Sequence, residues 1–178
     1  MKASILNRKI HRWGAILTAP VLLVVIATGL LLQLKKESAW IQPPTARGQG
    51  GPPAVAFHDI LAAAASVEHA GIRSWEDVDR LDVRPDKGVV KVRGHSRWEV
   101  QVDTATGEVL QTMYRRSDLI ESLHDGSWFA GDATKLYLFL PAAVAFLGLW
   151  GTGLYLWLLP HLTRRRKRTR PGKGSEGP

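Results

Sequence analysis

The sequence predicts an α+β protein: a two-span α-helical membrane hairpin carrying a small extracytoplasmic domain of one helix plus a three- or four-stranded antiparallel sheet. Three observations predict it. Two apolar runs, Trp13–Leu34 and Leu136–Leu159, contain no charged residue, and each exceeds the ~20 helical residues that cross a hydrocarbon core of roughly 30 Å. Charge is segregated outside them. Between them, one stretch repeats every third or fourth residue and later stretches alternate, the periods of a helix and of strands.

The first run follows a basic tail, residues 1–12, with Lys2, Arg8, Lys9 and Arg12. It is longer than the 7–15-residue core of a signal peptide and has no small-residue cleavage site behind it, so it reads as an uncleaved anchor. The second run is followed by residues 160–178, which include RRRKRTR. The tails hold eleven Lys/Arg against one Glu, whereas residues 35–134 hold twelve Lys/Arg against fifteen Asp/Glu. Basic flanks stay on the cytoplasmic side, which predicts a bacterial inner-membrane protein with both termini cytoplasmic and residues 35–134 outside. A run of Arg and Lys directly after a span binds lipid headgroups, so the pI of about 10.1 implies a bilayer partner and not nucleic acid. No cysteine is present, which excludes disulfides, cysteine metal sites, Fe–S clusters and covalent c-type haem.

Residues 35–53 are rich in Pro, Gly and Gln and read as a flexible linker. In residues 54–115 a helix starts near Phe57, with Phe57, Ile60, Leu61, Ala64 and Val67 on one face and Gly71 as its stop. His58 and His69 then share a face, about three turns apart. Alternation at Leu81/Val83, Val90/Val92 and Trp98/Val100/Val102 marks strands, and Asp103–Gly107 is a hairpin turn before Glu108, Val109 and Leu110. Residues 116–135 form a juxtamembrane segment in which Asp118, Glu121, Asp125 and Asp132 surround His124, either a cation-binding patch or a solvated loop. No hydrolytic constellation, phosphate loop or HExxH zinc motif is present.

A helix followed by a meander ending in Val100, Val102, Asp103, Thr106, Gly107, Glu108 and Val109 resembles a PepSY domain. The spans resemble those of the PepSY-associated transmembrane family. The matching residues are His11–Gly14 with Thr28–Leu30, repeated as Leu123–Gly126 with Thr152–Leu154. Larger members of that family include haem-containing reductases of ferric siderophores. The resemblance therefore implies a haem-binding component of transmembrane electron transfer linked to iron, siderophore or metal acquisition, although this chain has only two spans.

A b-type haem needs a neutral imidazole, an apolar slot and room for a flat ring. His11, His124 and His161 border the spans, and Gly29 and Gly153 leave space beside them. Antiparallel spans place Thr28-Gly29 toward His124 and Thr152-Gly153 toward His11. The cofactor-binding residues expected are thus His11, His124, His161, Gly29 and Gly153, with His11 and His124 as the metal ligands, one per face, since a bilayer separates them. Two bland readings stay open: histidines as interfacial anchors, and glycines serving helix packing. A second functional reading, equally compatible, is a non-enzymatic anchored module that binds or inhibits an envelope protease or another extracytoplasmic partner. Two spans bury little surface, so a homodimer or a larger membrane complex is expected, and the acidic patch suits a ferric complex.

Overall fold

The computed structural model describes the backbone of residues 3–50 and 52–168 and the side chains of residues 5–50 and 52–160. The chain divides into two compact units, Met1–Ile26 with Asp125–Pro178, and Ala27–His124.

The first unit is built on two long helices. Helix α1 runs Ala3–Gln33 and begins before the apolar run does. Pro20 lies inside it and removes one backbone donor, and two residues earlier the Thr18 hydroxyl donates to the Gly14 carbonyl at 2.9 Å. The last helix, α6, is Leu140–Arg168. Just before it, Lys135–Phe139 widens into a π-helical turn. That turn ends two residues before Pro141, whose ring has no N–H and crowds the carbonyl four residues back. The two apolar stretches, Ile5–Gln33 and Asp132–Pro160, are long and apolar enough to cross a membrane. Their side chains are not a hidden core, since Leu17 is 75%, Leu23 70% and Leu147 68% exposed. Within this unit the helices run antiparallel, as His11 meets Thr152 while Gly14 meets Leu149.

The second unit is a single sheet with two different faces. Strands β1 (Val78–Arg84), β2 (Val89–Gly94), β3 (Trp98–Asp103) and β4 (Val109–Tyr114) form an antiparallel meander in the order 1-2-3-4. Helix α2, Phe57–Ala65, places Ile60 and Ala64 on Val90, Val92, Val100 and Val102, and Ala70 and Ile72 close that core. The helix ends sooner than its apolar spacing suggested. Ser66 caps it, the Ser66 hydroxyl turns back to the Ala63 carbonyl, and His69 falls in a separate short turn, Glu68–Ala70. His58 and His69 therefore do not share a helix.

On the opposite face the alternation of β2 and β3 places Lys91, Arg93, Glu99 and Gln101. Such a face ordinarily meets water, but here it is covered. The stretch read as a flexible linker is seated on it. Ala46 N donates to Gln101 Oε1 at 2.7 Å, Gln101 Nε2 donates to the Pro44 carbonyl at 2.8 Å, and Gln49 N donates to Asp103 Oδ2 at 2.8 Å. Gly48 is required there, because a Cβ would stand 2.3 Å from the Gly88 carbonyl oxygen. Ile41 and helix α3, Arg116–His124, cover the rest, with Ser117 N donating to the Ile41 carbonyl at 2.8 Å. Under this cover Glu99 is fully buried, and its carboxylate meets Lys91 at 3.3 Å, Arg93 at 3.4 Å and the Arg115 guanidinium. Three cations and the Gln101 amide satisfy it, which is what a buried carboxylate needs. Burial pushes the Lys91 ammonium below its usual value, partly offset by Glu99.

Candidate functional site

Each unit holds one histidine fixed by a threonine and lying over a glycine. In the first unit His11 Nδ1 lies 3.1 Å from Thr152 Oγ1, an approach across 141 positions of sequence. The Thr152 hydroxyl proton has another destination, the Leu149 carbonyl at 3.0 Å. A hydroxyl has one proton to give; with that proton on Leu149, Thr152 Oγ1 accepts from His11 Nδ1, the tautomer in which Nε2 keeps the lone pair. His11 makes no second hydrogen bond or ion pair among the described residues. The next residue, Gly153, lies close to the ring: a Cβ there would stand 3.1 Å from His11 Cε1, so the ring would have to give by a few tenths of an ångström.

His11 also lines a groove of about 630 Å³ along α1 and α6. Its wall combines small residues, Ala15 and Ala19, with Phe146, Trp150 and Trp157. Gly14 lets the helices approach, since a Cβ would stand 2.8 Å from a Leu149 methyl. Gly148 and Gly151 have no neighbour within 4 Å of such a Cβ, so they do not shape the histidine's surroundings.

In the second unit His124, the last residue of α3, repeats the arrangement. Its Nδ1 lies 3.0 Å from Thr28 Oγ1, 96 positions away, and a Cβ on Gly29 would lie 3.4 Å from its Cε1. An ion pair of 3.1 Å between Lys35 and Glu121 joins the same two segments. In the first unit, the residues after His124 form short helices, α4 (Ser127–Ala130) and α5 (Asp132–Thr134). At the start of the first of these, Asp125 accepts from the Ser127 amide at 2.9 Å and hydroxyl at 2.7 Å. Burial alone would raise its carboxyl, but Ser127 and Lys135 outweigh that and hold it below the usual range.

The structure thus brings His11 to Gly153 and His124 to Gly29, as the repeated motif predicts. His161 lies on α6, and its side chain falls outside the described residues. The acidic residues near His124 do not pool into a cation site. Asp118 pairs with Arg115, Glu121 with Lys35 and Asp125 with Lys135. Among the described residues no three His, Asp or Glu side chains converge on a point. His58 pairs with Asp59 at the surface, and His69 packs edge-on against Trp98 at 4.6 Å. Sequence reasoning chose the glycine of each T-G-L motif and missed the threonine beside it. The repeat of Thr immediately before both glycines was the available signal.

The family model for the PepSY-associated TM region matches residues 8–176, nearly the whole chain. The chain belongs to that family. It is a PepSY-associated membrane protein, and the two exposed apolar helices agree with that assignment. The match spans both histidine–threonine pairs and the sheet between them. No curated protein and no solved structure matches the chain.

Proposed function

We propose that this membrane protein binds haem b and takes part in electron transfer across the bacterial inner membrane, in support of iron or siderophore acquisition. The observation that carries the reading is His11. Its Nδ1 lies 3.1 Å from a Thr152 hydroxyl that has the Leu149 carbonyl to donate to, an arrangement that suits a lone pair on Nε2, and it borders an apolar groove. A histidine that would hold haem iron through Nε2 carries its proton on Nδ1, where a hydrogen bond orients the ring.

The residues present fit the group. His11 would ligate it, and the groove's small and aromatic side chains would enclose its apolar ring. His124, held by Thr28, is the second ligand position. Haem bound there would supply a one-electron couple. Thr152 and Thr28 fix the ring orientations, and Gly153 and Gly29 leave room for them. Each site offers one imidazole, and a second copy of the chain would supply another, which is why a homodimer is part of the proposal. The charge distribution supports cytoplasmic termini, with residues 35–134 on the outer side facing a ferric substrate.

Absorbance of the full-length protein, purified in mild detergent from haem-supplemented cells, tests this reading. The expected result is a Soret band that shifts on dithionite reduction and loses intensity in both His11→Ala and His124→Ala. Absence of co-purifying haem, or a band unchanged in both variants, would sink the proposal.

A further inference from the structure

A second hollow, of about 340 Å³, opens on α1 where the apolar run begins. Ile5, Arg8, Lys9, Arg12 and Trp13 line it. Their spacing of three and four residues puts all five on one face of the helix. Arg8, Lys9 and Arg12 do not line the groove beside His11, so they form a cluster of their own.

Elsewhere the charged side chains come in pairs. Lys35 meets Glu121, Arg80 meets Asp79, Arg84 meets Asp82, Arg115 meets Glu99 and Lys135 meets Asp125. Arg8, Lys9 and Arg12 form no ion pair or side-chain hydrogen bond among the described residues. Helix α1 holds no Asp or Glu at all. The described carboxylates of its unit, Asp125 and Asp132, precede α6, at the end of the helix pair away from His11 and Thr152. Arg8 and Arg12 are four residues apart, where like charges repel, so an anion between them would relieve that repulsion. Depth says which anion. At 1.5 Å per residue, Arg12, Lys9 and Arg8 stand about 1.5, 6 and 7.5 Å beyond Trp13 along the helix. A headgroup layer is roughly 5–8 Å deep on each side of the hydrocarbon, and tryptophan favours that boundary. All three cations therefore lie at the level of lipid phosphates, with Trp13, 55% exposed, at the acyl edge. A zwitterionic headgroup carries an ammonium beside its phosphate, and no carboxylate lines the hollow to receive it.

We propose that this hollow binds the phosphodiester of an anionic phospholipid, with Arg8, Lys9 and Arg12 around the phosphate and Trp13 against the start of an acyl chain. Arginine suits phosphate because its planar fork donates two hydrogen bonds at once. The hollow thus selects a headgroup, whereas the basic run after the second span offers charge alone. A free phosphate shares the anion chemistry but makes no use of Trp13. The site does not depend on haem.

The test is native mass spectrometry of the full-length protein in mild detergent, titrated with phosphatidylglycerol, with phosphatidylethanolamine, and with inorganic phosphate as competitor. Phosphatidylglycerol should be retained on the order of ten-fold more tightly than phosphatidylethanolamine. Combining Arg8→Gln, Lys9→Gln and Arg12→Gln should erase that preference. Ile5→Glu keeps every cation but places a carboxylate three and four residues from Arg8 and Lys9. Ile5 is 56% exposed, so the helix tolerates the change, and the preference should fall several-fold. The control, Arg164→Gln with Arg165→Gln and Arg166→Gln, should leave it in place. Equal retention of the two lipids would overturn the site, as would a preference that survives the triple α1 variant or Ile5→Glu. Loss of the preference in the control would move it to the basic run and overturn it too. Displacement of the lipid by millimolar inorganic phosphate would assign a free anion instead.

Discussion

The His11 and His124 sites use the same three residue types, yet their surroundings are opposite. His11 sits in a pair of helices, bordered by a groove of small and aromatic side chains. His124 ends a helix that is packed on a sheet, with the Lys35–Glu121 ion pair beside it and a buried carboxylate beneath. One site depends on helix packing alone, whereas the other depends on a folded domain. The motif is therefore a local device that fixes an imidazole wherever two segments meet closely. What differs is what holds the segments together.

The largest expected effect separates the two supports. Glu99→Ala leaves Lys91, Arg93 and Arg115 buried without their carboxylate, at a cost of about 3–5 kcal/mol. Thermal unfolding followed by His124 side-chain resonances should shift strongly, while the His11 resonances keep their wild-type behaviour. Equal disturbance of both would break the comparison.

A second, smaller effect comes from Asp103. Its carboxylate accepts from the amides of Ala105, Gln49 and Thr106. These amides, Ala105 first and then Gln49, hold its carboxyl below the usual range despite burial. Because the folded value lies below the unfolded one, the stabilisation is complete above the unfolded value of about 3.9. It is lost as pH falls through the folded value. Asp103→Ala should cost about 2 kcal/mol at neutral pH and flatten the acid side of the stability profile of the sheet unit. Urea melts between neutral and acidic pH check both statements.

The glycines sharpen the comparison further. Alanine in a helix is favoured over glycine by roughly 0.5–1 kcal/mol. At Gly29 the added methyl would meet His124 at 3.4 Å, an ordinary contact, so Gly29→Ala should be neutral or slightly stabilising. At Gly153 it would meet His11 at 3.1 Å, so Gly153→Ala should displace the ring and forfeit that gain. Melting temperatures of the two variants, with the His11 ring shifts, measure the difference.

Much of this fold is legible in the sequence because its signals are local. The spans are uninterrupted apolar runs, and Asp103–Gly107 carries its turn chemistry within five residues. The end of α2 was misplaced because Val67 continues the apolar period, while Ser66 stops the helix through its own hydroxyl. The strap over the sheet was unreadable because Gln101 and Asp103, which tie it down, lie more than 50 positions away. Composition alone makes Pro and Gly look like slack. The threonines were hidden for the same reason. Their partners come from the far end of the chain, and only the repeated T-G-L pattern points at them.

The orientation of His11 is the point on which the account turns. Nitrogen NMR of the full-length protein with 15N-labelled histidine, at a pH where the ring is neutral, reads its tautomer directly. The proton is predicted on Nδ1, with that preference lost in Thr152→Val. A proton on Nε2, or a tautomer indifferent to Thr152, would contradict it.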